Sequence, residues 1–229
     1  MIGVLGLGSR STCFYLDQLN AEYQTRQGGY STCPLLLLNT DFNELNPFLP
    51  TVFSALEPVL LQHLNTAERL GITQLIIPNI TLHECYDRLA DEHLILDVFH
   101  PVTLMIQQLQ RDQHHTIVLL GSHYTVQSRA LLQAFSDANI QVISPSEEDV
   151  TTVDMIRQKV YHERESEEDR QGFQQLLRDY QQRAPVVLAC TELSVITTVS
   201  DRVYDMARVQ IESAIQAVLS DAHHMAPVI

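Results

Sequence analysis

A cysteine at the carboxyl end of an apolar strand is the group in this chain best suited to chemistry. Val186-Val187-Leu188-Ala189-Cys190-Thr191-Glu192-Leu193 runs apolar up to Cys190, turns polar for two residues, and then resumes its apolar pattern. Open α/β sheets place their ligands beyond the carboxyl ends of their strands. A thiol there lies near the start of the next helix, whose positive end favours thiolate over thiol. The competing reading is a buried cysteine serving as a small apolar side chain. A second segment, Leu75-Ile76-Ile77-Pro78-Asn79-Ile80-Thr81-Leu82-His83, has the same shape: apolar strand, polar turn, helix start. Superposing the two strand ends sets Asn79 opposite Cys190. Two similar halves facing each other would then hold these residues on opposite sides of one cleft, an arrangement suited to chemistry on both faces of a small molecule.

Other candidate groups narrow the chemistry further. Gly6-Leu7-Gly8-Ser9-Arg10-Ser11-Thr12 follows the first strand, but Ser11 stands where a dinucleotide fingerprint needs its third glycine. No acid follows about 20 residues later, so the dinucleotide reading is set aside. The loop instead offers backbone N–H groups at Gly8 and Ser9, with hydroxyls from Ser9, Ser11 or Thr12, to a carboxylate; Ser11 as a plain helix cap is the alternative. Lys159 is the only lysine and lies in a helix that reads as solvated, which leaves no good Schiff-base candidate for pyridoxal chemistry. The four cysteines form no C-x-x-C pair, and His114-His115 and His223-His224 are adjacent pairs that cannot share a helix face. No metal and no cofactor are expected. The formal net charge of −14 argues against a nucleic-acid partner. No apolar run reaches membrane-spanning length and no basic region precedes Ile2, so a cytoplasmic protein without membrane association is expected.

The elements that must position these groups alternate along the chain. Residues 2–5, 34–39, 74–78 and 93–97 read as short strands, and 11–26, 52–70, 81–91 and 101–111 as helices. Gly71 suits the end of the second helix and Pro101 the start of the fourth. The second half repeats the plan, with strands at 116–120, 140–143, 186–189 and 202–204 and helices at 125–137, 147–161, 167–183 and 206–220. Ser166 and Asp169 have the spacing of a capping box. Alternation of β and α predicts parallel sheets with right-handed crossovers. The fold class is therefore α/β, with two pseudo-symmetric lobes, each a parallel sheet flanked by helices, and the active site in the cleft between them.

Taken in order, these segments resemble the aspartate/glutamate racemase superfamily almost from end to end. The first loop and helix match through Gly6–Thr12, Tyr15 and Asn20. Gly28-Gly29 and Leu38-Asn39-Thr40-Asp41-Phe42 bracket a second strand similar to the family's. Thr81 and His83 match the end of the first catalytic motif, and Leu119-Leu120-Gly121-Ser122-His123-Tyr124-Thr125 resembles the substrate loop of the second lobe. Ala189-Cys190-Thr191-Glu192-Leu193 matches the second catalytic motif, and Asp205 fits the acid of the last strand. Glu192 favours the aspartate/glutamate and broad-specificity branch, because the cell-wall glutamate racemases usually carry histidine there.

The resemblance implies cofactor-independent racemisation of an amino acid and a homodimer. It also implies lobes of residues 1–98 with 207–229 and of residues 99–206. One acid/base group removes the α-proton and a second returns it to the opposite face. Cys190 fits the first role, with Thr191 and Glu192 orienting or polarising it. Thr81 and Thr125 fit carboxylate holders, acting through hydroxyl and backbone donors. The chain departs from the family at Asn79-Ile80-Thr81, where Cys-Asn-Thr or Thr-Asn-Thr is usual. An amide carries protons poorly beside a thiol of ordinary pKa near 8.5, so Asn79 becomes a binding group, and His83 or Cys85 becomes the candidate for a second proton. Residues 40–46 also lack the arginine often found after the second strand. A lone Cys190 equally fits one-sided protonation of the kind seen in arylmalonate decarboxylases, or an amino-acid-binding homologue without catalysis.

Overall fold

The structure is a computed structural model that describes residues 1–90, 92, 94–198 and 200–224, the last four by their backbone only. It packs as two compact units. Unit 1 comprises Met1–His100 and the segment from Val209 onward; unit 2 comprises Pro101–Arg208. Among the described residues, no helix is long and apolar enough to cross a membrane.

Unit 1 holds strands β1 (Ile2–Gly6), β2 (Leu35–Asn39), β3 (Gln74–Ile76) and β4 (Asp97–Val98) in the spatial order β2-β1-β3-β4. All neighbours are parallel, with Ile2 opposite Leu35 on one side and Gln74 on the other. Helices α1 (Ser9–Gln27), α2 (Phe53–Arg69) and α3 (Leu82–Arg88) connect them. The central strand β1 is buried at every position, as a parallel strand covered on both faces must be. Helix α2 presents Phe53, Leu56, Leu60, Leu64 and Ala67 to the core, a stripe at helical spacing. Burial of each leucine contributes about 1.5–3 kcal/mol. Gly71, at φ 78°, donates to the Glu68 carbonyl and ends the helix in a conformation that disfavours any other residue.

Unit 2 repeats this order. Strands β5 (Thr116–Leu120), β6 (Gln141–Ile143), β7 (Val186–Leu188) and β8 (Val203–Asp205) run β6-β5-β7-β8, all parallel. Its helices are α4 (Pro101–Arg111), α5 (His123–Gln127), α6 (Arg129–Asp137), α7 (Glu147–Tyr161), α8 (Glu167–Gln181) and α9 (Thr191–Val195). The core joins Val118 and Leu120 of β5, Val186 and Leu188 of β7, and Phe173 and Leu177 of α8. Ser166 and Asp169 form the capping box that their spacing predicts. The last helix, α10 (Met206–His224), starts against Asp205 and returns the chain to unit 1. There its Gln210 is fully buried, accepting from the Tyr15 hydroxyl at 2.5 Å and donating to the Phe99 carbonyl at 2.6 Å.

Several elements differ from the sequence reading, three of them as follows. The helix expected over 125–137 is two helices, because Ser128 takes an extended backbone (φ −60°, ψ 117°) and caps Leu131 N–H at 3.3 Å. The strand expected over 93–97 forms only at Asp97–Val98, since Ile95 and Leu96 donate their N–H groups to the Glu68 carboxylate instead of a ladder. The helix expected over 81–91 ends at Arg88. Asp91 and His93 lie outside the described residues.

Candidate active site

In unit 2 the buried strand β7 delivers Cys190 to the position immediately before α9, with extended backbone at φ −154° and ψ 126°. Ala189 N–H still donates to the Leu120 carbonyl at 2.8 Å, so the sheet holds the chain up to the residue before the thiol. Leu193 and Ser194 then donate to the Cys190 carbonyl at 3.1 and 3.4 Å and begin the helix. Cys190 is partly exposed as a residue, and its thiol donates to Glu192 Oε2 at 2.8 Å, while the Thr191 hydroxyl approaches the same oxygen at 3.3 Å. Burial first, and then the Glu192 charge, pushes Cys190 well above the usual thiol range, while Arg157 works against them. The resting group is therefore a thiol, with a carboxylate placed to take its proton.

Two further contacts fix this turn. The Ser194 hydroxyl donates to Asp205 Oδ1 at 2.8 Å, and Asp205 also accepts from Ala207 N–H at 2.9 Å, tying α9 to β8 and to the start of α10. Burial pushes the Asp205 carboxyl up from its ordinary value. At the end of β5, a Cβ on Gly121 would come within 3.1 Å of Thr125 Cβ and 3.2 Å of the Ala189 carbonyl. Gly121 therefore sits between Thr125 and the end of β7, with little room for a side chain. The Thr125 backbone N–H is not free for a ligand, contrary to expectation, because Ser122 Oγ accepts it at 3.1 Å; the two hydroxyls also share a hydrogen bond at 2.7 Å.

Sequence reasoning missed Arg157. Helix α7 packs against α9, and Arg157 Nε donates to Asp154 Oδ1 at 2.9 Å. Burial alone would lower its pKa, but the Cys190 sulfur when ionised, the hydrogen bond and charge of Asp154, and the Glu192 charge outweigh that and raise it. The helix reads as solvated because it opens on Glu147, Glu148 and Asp149. The available signal was the Asp154–Arg157 spacing beside the apolar positions Val153, Ile156 and Val160.

Unit 1 places Asn79 three residues beyond β3. Its side-chain Oδ1 accepts from Leu82 N–H at 3.0 Å and so holds the first turn of α3. Its carbonyl is met by His83 Nδ1 at 2.9 Å. His83 is buried, with its ring edge-on to His100 at a centroid distance of 4.9 Å and Nε2 3.4 Å from Gln210 Nε2. Burial, and then repulsion from His100, lowers its pKa to about 3, so the ring is neutral. His83, one of the two candidates for a second proton, thus lies in the interior of unit 1. Cys85 is fully buried, and burial pushes its thiol up to about 12. The Thr81 hydroxyl, half-exposed, has no hydrogen-bond partner among the described residues.

The loop after β1 also differs in detail from expectation. Gly8 occupies the position before α1. Ser11 does not cap the helix; its hydroxyl donates to the Gly8 carbonyl at 3.0 Å, and Thr12 Oγ1 accepts from Leu7 N–H at 3.1 Å. Both hydroxyls are buried and engaged, which leaves Ser9 exposed at the helix start. Among the described residues no three His, Cys, Asp or Glu side chains group as metal ligands would.

Two parallel four-stranded sheets flanked by helices are the fold seen in aspartate and glutamate racemase structures. The sequence profile of the Asp/Glu/hydantoin racemase family matches residues 4–219, and the chain belongs to that family. No curated protein sequence matches it significantly. Its fold is similar to that of an aspartate racemase homologue from Pyrococcus horikoshii OT3, with a TM-score of 0.79 at 18% identity over 95% of this chain and 98% of the other. Aspartate racemase from Picrophilus torridus superposes with a TM-score of 0.77 at 17% identity, over 95% and 93% of the two chains. Glutamate racemase from Francisella tularensis, solved in complex with D-glutamate, gives 0.62 at 14% identity, over 96% and 81%.

Proposed function

We propose that this chain moves the α-proton of a small amino acid, with Cys190 as the acid/base. The observation that carries this reading is the thiol at the end of β7, hydrogen-bonded to Glu192 Oε2 at 2.8 Å. Transfer of the thiol proton to that carboxylate leaves a thiolate able to abstract an acidified C–H proton, and the reverse transfer restores the acid. Thr125 and Thr191 supply hydroxyls beside it for the substrate carboxylate, and Gly8, Ser9 and Thr81 are the binding candidates of unit 1. The D-glutamate bound by the Francisella relative supports an amino acid as the ligand class. A homodimer is part of the same proposal, read by sedimentation.

One-sided chemistry is the second reading, and the geometry of Asn79 favours it. Asn79 Oδ1 already accepts from Leu82 N–H, and an amide can hold a ligand but cannot shuttle a proton at neutral pH. One experiment separates the readings. Single enantiomers of aspartate, glutamate and other common amino acids are incubated in D2O and followed by proton NMR and chiral chromatography. Loss of the α-proton signal together with inversion supports two-sided racemisation. Loss of the signal with retention supports one-sided exchange. Binding with neither leaves a ligand-binding homologue.

A further inference from the structure

Helix α7 places a cation beside the Cys190–Glu192 pair. Its residues Val153, Ile156 and Val160 share one core with Leu193 and Ile196, and Cys190 packs against that core. Arg157 follows Ile156 and so leaves the helix at the edge of this stripe, with 23% of its side chain exposed. Its direction is fixed by Asp154, one turn earlier, through the 2.9 Å Nε–Oδ1 pair. Asp154 is itself held by Gln158 Nε2 at 2.8 Å and by His123 N–H at 3.3 Å. The Nε donor is thereby used, while the two terminal NH2 groups have no hydrogen-bond partner among the described residues. A half-buried guanidinium with unused donors, on a helix packed against the one that carries Glu192, calls for a negative charge.

We propose that Arg157 is the counter-charge of the Cys190–Glu192 pair, a positioning residue that holds the single negative charge those two groups share. When the proton passes from Sγ to Oε2, the S–H bond breaks, an O–H bond forms, and the charge moves from carboxylate to sulfur; the Arg157 charge acts on both groups. The Arg157 charge opposes the burial and the carboxylate that otherwise raise the thiol. The charged groups around the sulfur are Glu192 from α9 and Arg157 from α7, with Asp154 behind the arginine. The inference rests on Cys190 being the proton carrier of the proposed reaction. Its test, however, reads the thiol without substrate, so α-proton exchange and thiol acidity can fail independently.

The experiment is site-resolved alkylation of the full chain by iodoacetamide, followed by mass spectrometry between pH 6 and 10. Exposed Cys13 serves as the internal reference. Because thiolate is the nucleophile, Arg157→Gln should slow Cys190 about tenfold at pH 8, equivalent to about one pKa unit, with Cys13 unchanged. Arg157→Lys keeps the charge and should stay within about threefold of the wild type. Glu192→Gln, which leaves Arg157 in place, should speed the reaction. A wild-type rate in folded Arg157→Gln, or Arg157→Lys as slow as Arg157→Gln, would overturn the proposal. Should Arg157→Gln fail to fold, as read by circular dichroism, the Glu192→Gln and Arg157→Lys results decide it: slower alkylation in either, beyond threefold for the lysine variant, counts against the counter-charge.

Discussion

Strands β3 and β7 hold the same place in their sheets, each third in order, yet their carboxyl ends are built differently. Beyond β7, α9 starts at Thr191, and Cys190 meets it with no side-chain cap, so its thiol is left to Glu192. Beyond β3, α3 starts only at Leu82, and the Asn79 side chain fills the gap by bonding Leu82 N–H. His83 then bonds the Asn79 carbonyl and anchors the turn in the interior of unit 1. One strand end keeps a titratable atom uncommitted to the backbone, and the other uses its polar side chain to hold the backbone. Similar topology thus carries two different chemistries, and the difference lies in whether the side chain or the main chain satisfies the first helical N–H groups.

The largest test of this contrast removes the uncommitted atom. Cys190→Ala should cut α-proton exchange about 10²–10⁴-fold, as loss of a general acid/base does, with an unchanged melting profile. Cys13→Ala, on an exposed residue, should leave exchange intact in the same NMR assay.

Acid titration probes the structural end. His83 has a folded pKa of about 3 against an ordinary value of 6.5. Between those values the unfolded chain binds a proton that the folded chain does not. This contribution to stability is complete above pH 6.5 and is lost as pH falls toward 3. At pH 5 the loss is about 2 kcal/mol, from about 1.4 kcal/mol per unit. His83→Gln should remove that part of the slope in urea melts at pH 7 and pH 5; equal slopes in the two proteins would show that the ring is already protonated.

Asn79→Cys would make the two ends more alike. Losing the amide that holds Leu82 N–H should cost about 1 kcal/mol, visible as a lower urea midpoint. Rapid, symmetric racemisation by the unaltered protein would break the contrast altogether.

The smallest effect compares the glycines at the ends of β1 and β5. A Cβ at Gly6 would run into the Asn39 side chain and come within 3.1 Å of its Cα, whereas at Gly121 the nearest backbone atom is 3.2 Å away. Gly6→Ala should therefore cost about 1 kcal/mol more than Gly121→Ala in denaturant melts.

The alternation of elements was legible because buried parallel strands are short apolar runs between amphipathic helices. The thiol of Cys190 was legible for the same reason: it marks where such a run ends. Details that depend on side chains reaching back to the backbone were not legible. Ser128 reads as one more helical residue until its hydroxyl is seen on Leu131 N–H, and Glu68 gives no sign that it will take Ile95 and Leu96 out of a strand. Ser11 has the composition of a cap, but its hydroxyl turns to the Gly8 carbonyl. Arg157 was hidden by its own helix, whose acidic first turn and low apolar content describe a solvated surface while one face borders α9.

The return of α10 to unit 1 has a consequence for biosynthesis. Unit 2 is a continuous stretch, whereas unit 1 needs Gln210, which fills the space between Tyr15 and Phe99. The ribosome therefore releases the whole of Pro101–Arg208 before the N-terminal sheet receives its last core helix. At synthesis rates of about 5–20 residues per second, that delay is on the order of ten seconds. During it, the apolar faces of Tyr15 and its neighbours stay uncovered and open to chaperones. Chains stalled shortly before Val209 should be cleaved by protease in the first hundred residues and resist it in the segment that follows; equal resistance in both would show that α10 is dispensable for the early fold.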